Sequence, residues 1–170
     1  KRTKSLFFEN DFLKSLYYNE LTSTVCTAIF TNAYANYPLL VGQRSNLYKY
    51  VLENGFSNLS SKGYMGLLHP EGIYDDPNGQ PLRKVIYKRL NYHFQYVNEL
   101  QLFAEVDHHT KYGENIYGPE KNNISFYSIH NIFVPQTIDN CFVHDGHGSC
   151  GGLKLESKWN TEAHKDRIVH

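Results

Sequence analysis

Two short stretches of this chain carry the residue types and spacing that hydrolytic metal chemistry needs. They are Val106-Asp107-His108-His109 and Asn131-Ile132-Phe133-Val134-Pro135-Gln136-Thr137-Ile138-Asp139-Asn140. An imidazole near its ordinary pKa can take a proton from water, while a carboxylate and an amide oxygen suit a hard divalent ion such as Mg²⁺. His108 is therefore the expected general base, with His109 as the alternative one residue on. Asp107 and Asn140 are the expected ligands of one Mg²⁺ or Mn²⁺ ion. Such a set serves hydrolysis of a phosphodiester, which needs an activated water on one side of phosphorus and a cation beside the leaving oxygen. Successive strand residues point to opposite faces, so Asp107 and His108 can share one site only at a strand end or bend.

At these residues the chain resembles the HNH, or His-Me finger, nucleases, and in particular phage-encoded members of that group. The segments Gly113-Glu114-Asn115-Ile116-Tyr117-Gly118-Pro119-Glu120 and Phe133-Val134-Pro135-Gln136 add to the likeness, which covers about positions 103 to 143. The resemblance implies a ββα unit around one metal ion. Asp107 and His108 would end the first strand, Asn131 would tie down the connecting loop, and Asn140 would complete the metal site from the helix. Lys121 to His130 then reads as an insertion, and Asn122 or Asn123 can stand in for the loop Asn. The activity implied is endonucleolytic cleavage of double-stranded DNA, by a monomer or a homodimer.

A second constellation follows directly: Cys141, His144, His147 and Cys150, each three residues from the next. Thiolates and imidazoles are zinc ligands and a tetrahedral site takes four, so these residues form a candidate Zn²⁺ knuckle. The competing account is a Gly-rich loop with one buried thiol. Arg83, Lys84, Lys88 and Arg89, interleaved with or followed by Tyr87, Tyr92 and Tyr96, form a basic and aromatic cluster just ahead of the Asp-His pair. Cations contact phosphates and rings stack on bases, so this cluster is the candidate DNA-facing surface; the alternative is a solvated helix face.

The elements that must position these groups come from periodicity. Phe8, Phe12, Leu16, Leu21, Val25 and Ile29 are spaced for a helix over residues 6 to 30, whole or broken near Asn19 to Ser23. Ser45 to Leu52 suggests a short helix stopped at Asn54-Gly55, and Ser57 to Pro81, dominated by turn residues, reads as loop with at most a hairpin. Ile86, Leu90, His93, Val97 and Leu100 predict a helix over 83–101, and Leu102 to Val106 then predicts a strand. The expected fold is α+β in one domain. Residues 1–101 form a helical and loop-rich part, 102–150 an HNH-like ββα-metal core and 151–170 a tail.

Composition sets the outer bounds. The chain has 170 residues, 41% of them hydrophobic and 15% aromatic, which is enough for a real core. No apolar run approaches the roughly 20 residues that span a bilayer, and the first residues lack the apolar stretch of a signal peptide. Three scattered cysteines do not make a disulfide framework, so the expected location is the cytoplasm. Seventeen basic and 17 acidic residues cancel, which leaves no global field to draw in nucleic acid; local patches must do that work. Two classes compete with the nuclease: a non-catalytic DNA-binding protein, and a zinc-stabilised interaction module.

Overall fold

The computed structural model describes residues 9–44 and 46–170, so Phe8 and Ser45 of the expected helices lie outside the described residues. The protein is mixed α+β. It divides into two compact units, one ending at Tyr50 and one spanning Val51–His170.

The first unit is built on α1 (Asp11–Asn32), one unbroken helix. Asn10 starts it by accepting from the backbone N–H groups of Phe12 and Leu13, both at 3.1 Å, which satisfies two of the otherwise unpaired amides of the first turn. Asn10→Ala should lower the helical signal of this unit at a cost of about 1 kcal/mol, read by circular dichroism during urea unfolding. No residue of α1 is buried. The tail of the unit has its own small contact, Tyr37 edge-on to Tyr50 at 4.7 Å.

From α2 (Leu47–Asn58) the chain enters β1 (Met65–Pro70), the one-turn α3 (Gly72–Asp75), and α4 (Gln80–Arg89). It continues through β2 (Leu90–Val97), β3 (Lys111–Tyr117), β4 (Tyr127–Ile132) and α5 (Gln136–Val143). A short hairpin, β5 (Lys154–Leu155) and β6 (Lys158–Trp159), follows. The main sheet has the order β1-β3-β2-β4, with β3 antiparallel to both neighbours and β4 parallel to β2.

Three expectations are corrected here. The helix predicted over 83–101 ends at Arg89, and Leu90–Val97 is a strand. His93, Phe94, Tyr96 and Val97 are all buried, because the strand is covered on both faces; a strand buried that way loses clean alternation and mimics helical spacing. The strand predicted over Leu102 to Val106 is a series of turns that leaves Leu102, Phe103 and Val106 exposed. The turn-rich stretch after Ser57 contains β1 and α3.

Strand alternation gives the sheet two unlike faces. One carries Phe94, Tyr96, Tyr112, Ile129 and Ile132, packed with Cys141 of α5 into the apolar core. On the other face the register aligns His69 with Gly113, His93 with Asn115 and with Ser128, and Gln95 with Gly113. A polar sheet face inside a protein needs partners, and these residues find them in one another.

Candidate functional site

Asn115 is fully buried and lies at the centre of a hydrogen-bond network that spans three strands. Its Oδ1 accepts from Tyr74 OH and from His93 Nδ1–H, both at 2.7 Å. Its Nδ2 donates to Gly113 O at 2.9 Å and to His69 Nε2 at 3.1 Å. His69 Nε2 also accepts from Tyr117 OH at 2.8 Å, and its Nδ1–H donates to Pro70 O at 2.9 Å. A carbonyl cannot donate, so Nδ1 carries a proton, and the Asn115 amide N–H that donates to Nε2 requires that nitrogen to be bare: His69 is neutral. Burial, the largest influence, lowers its pKa in agreement with this.

His93 is the opposite case. Nδ1 donates to Asn115, and Nε2 lies 3.3 Å from Glu71 Oε2, so both nitrogens face acceptors. Burial alone would lower its pKa, yet the hydrogen bond and charge of Glu71, with Asn115 behind them, raise it overall. Burial likewise pushes the Glu71 carboxyl up, and His93 and Gln95 more than offset that, so its pKa is lowered. Each partner thus favours the charged form of the other, and Gln95 Nε2 donates to Glu71 Oε2 at 2.9 Å. Glu71 Oε1 is buried and without a hydrogen-bond partner among the described residues. Gly113 makes room for the group: a Cβ there would run into Glu71 Oε1, Asn115 Nδ2 and His93 Cε1.

Glu71, Tyr74, Tyr87, His93, Gln95, Phe126, Ser128 and His130 line a cavity of about 280 Å³. Tyr87 and Phe126 lie nearly parallel, 11° apart with centroids at 6.2 Å, and Tyr74 is tilted 31° from Tyr87. Burial and the neighbouring His93 charge lower the His130 pKa, so its imidazole is neutral. Burial raises the Tyr74 pKa and keeps its phenol protonated, as its bond to Asn115 requires.

The residues singled out from sequence lie elsewhere. Asp107, His108 and His109 form an exposed turn just before β3, with their ligand atoms all within 4.8 Å of one another. Asp107 Oδ1 accepts from the His109 backbone N–H at 2.8 Å, and that bond is the main reason its pKa is lowered. Asn131 adopts a left-handed conformation with φ 57° and donates from Nδ2 to Gly152 O at 3.1 Å. Asn140 is exposed on α5 and accepts from Gln136 Nε2 at 3.4 Å. Both amides thus make their hydrogen bonds away from the Asp-His-His turn.

The zinc knuckle is not assembled. Among the described residues the potential ligands that gather in threes are Asp107, His108 and His109, a group that includes none of the four knuckle residues. Cys141 belongs to the apolar core, His144 Nδ1 accepts from Gly146 N at 3.0 Å, His147 is exposed, and Cys150 donates to Gly151 O at 3.4 Å. The basic cluster is largely engaged inside the protein. Arg83 donates to Asp76 O and Ile73 O, while Lys88 and Arg89 lie 3.1 and 3.9 Å from Glu120. Lys84 is exposed, and Tyr92 stacks on Tyr127 at 5.8 Å.

No protein-family model matches this chain, and neither does any curated protein or solved structure. The chemistry of the sites themselves therefore carries any functional assignment. No helix among the described residues is long and apolar enough to cross a membrane.

Proposed function

We propose that this chain handles nucleic acid and that the cavity beside Glu71 takes a single unpaired or extruded nucleobase. The observation that carries this is the pairing of an aromatic wall, formed by Tyr74, Tyr87 and Phe126, with a polar edge formed by Glu71, Gln95, Ser128 and His130. Nucleobases are read by that combination: their faces stack on rings and their edges hydrogen-bond. The volume of about 280 Å³ lies below the usual range for drug-sized ligands and suits one heterocycle. Glu71 Oε1, buried without a partner, supplies an acceptor for a ligand N–H.

Titration of a fluorescent single-stranded oligonucleotide at low salt tests the proposal. Tyr87→Ala should weaken binding by about tenfold, the loss expected for one stacked base. Wild-type protein that binds neither single strands nor nucleosides would overturn it.

Metal-dependent cleavage of DNA, the reaction of the HNH group, is the second reading. The clustering of Asp107, His108 and His109 favours it. Against it, β2 lies between β3 and β4, so these strands do not form the hairpin of a ββα unit. Incubation of supercoiled plasmid with Mg²⁺ or Mn²⁺, beside His108→Ala, decides the matter. Nicking by wild type alone supports cleavage; DNA binding without nicking leaves the non-catalytic DNA-binding protein.

A further inference from the structure

We propose that the turn Asp107-His108-His109 is a binding site for a zinc-class divalent transition ion rather than for Mg²⁺. Two imidazoles and one carboxylate are a borderline ligand set, which favours Zn²⁺, Cu²⁺ or Ni²⁺; Mg²⁺ prefers oxygen donors and retains its waters. The geometry agrees. Asp107 Oδ1 and His109 Nδ1 are 3.3 Å apart. Donors about 2.0 Å from a zinc ion in tetrahedral array are themselves about 3.3 Å apart. The His108 ring stands 3.8 Å from that of His109, and its ligand nitrogen falls within the same 4.8 Å group, within reach after a side-chain rotation that an exposed residue can make.

The backbone beneath the turn is held from inside. Asn98, fully buried, donates from Nδ2 to Phe103 O and Val106 O, both at 2.9 Å, and accepts on Oδ1 from Phe103 N–H. Asn98 N–H donates to Thr110 O, and Thr110 N–H to Asp107 O, each at 3.0 Å. One buried amide thus sets the course of the loop that carries all three donors. With Asp107 and two imidazoles bound, a tetrahedral ion keeps one position for water or a phosphate oxygen. His108 is then a ligand and not a general base, so this site replaces the one-Mg²⁺ arrangement expected from the sequence.

Isothermal titration of the whole chain with Zn²⁺, and separately with Mg²⁺, provides the test. Zn²⁺ should bind at one equivalent per chain in a step that excess Mg²⁺ does not displace. Loss of an outer-shell partner already costs roughly 10–100-fold in metal affinity, so Asp107→Ala, His108→Ala and His109→Ala should each weaken this step by at least about tenfold. The three residues are exposed, and thermal unfolding should show all three variants folded as wild type. Displacement by Mg²⁺, or a Zn²⁺ step unchanged in the His108 or His109 variant, would overturn the assignment. Residual Zn²⁺ binding that survives all three substitutions together would locate the ion elsewhere and overturn it too. None of these readouts requires DNA cleavage or base binding.

Discussion

Replacing Asn115 with alanine should destabilise the second unit by about 3 kcal/mol, counting two buried donors that lose their acceptor at about 1–3 kcal/mol each and partial relaxation. The side chain has no exposure, and it joins four groups at once. Alanine would leave Tyr74 OH and His93 Nδ1–H without their acceptor and would remove one of two donors to His69. Water cannot enter freely to replace them, because His69 and His93 are themselves buried. In a chain of this length such a loss lowers the melting temperature by roughly 10 °C. Urea unfolding followed by tyrosine fluorescence measures it. Asn115→Asp is the informative companion: it retains an acceptor for His93 and Tyr74 but loses the donor to His69, so it should fall between wild type and alanine. A loss under about 1 kcal/mol for alanine would show that the network contributes little to stability.

The α+β class and α1 were legible in the sequence, α1 because it rests on local spacing, whereas a helix at Asn140 was expected only from the HNH resemblance. The polar sheet face was hidden by a mistaken period. His93 falls four residues before Val97 and three after Leu90, which places it on the apolar side of a helix that the structure does not form. Read instead with period two, Tyr92, Phe94 and Tyr96 alternate with His93 and Gln95. Tyr112, Glu114 and Ile116 alternate with Gly113, Asn115 and Tyr117, and Ile129 separates Ser128 from His130. That alternation was the available signal for the cavity. Glu71 carried no comparable signal: it stands in a run of turn residues, and its significance comes from long-range pairing of β1 with β3. Asp107 and the two imidazoles were visible by type, but the loop that presents them depends on Asn98, whose role no local pattern announces.

Glu71→Gln should cost about 2 kcal/mol near pH 5.5, the scale of a hydrogen bond to a charged group, and the cost should fade on both sides of that pH. Glu71 has a lowered pKa in the folded chain, so its ionised form stabilises the fold above the ordinary carboxyl value of about 4.3. That contribution disappears as pH falls through the lower, folded value. His93 has a raised pKa, so its contribution is complete below the ordinary imidazole value of about 6.5. It is lost as pH rises through the higher, folded value. The interval between about 4.3 and 6.5 is therefore where the pair stabilises most. In the glutamine variant burial prevails, and His93 sheds its proton rather than remain a cation without a counter-ion. His69 and His130 act in the other direction, because their lowered values mean that the unfolded chain takes up protons in acid that the folded chain refuses. The Glu71 charge raises both values and the His93 charge lowers both, opposing effects that the variant loses together, so the difference between wild type and variant is the quantity to follow. Urea unfolding of the two proteins from pH 4 to 9 should give a difference with a maximum. A difference that stays flat with pH would mean that Glu71 and His93 do not form an ion pair in the folded protein.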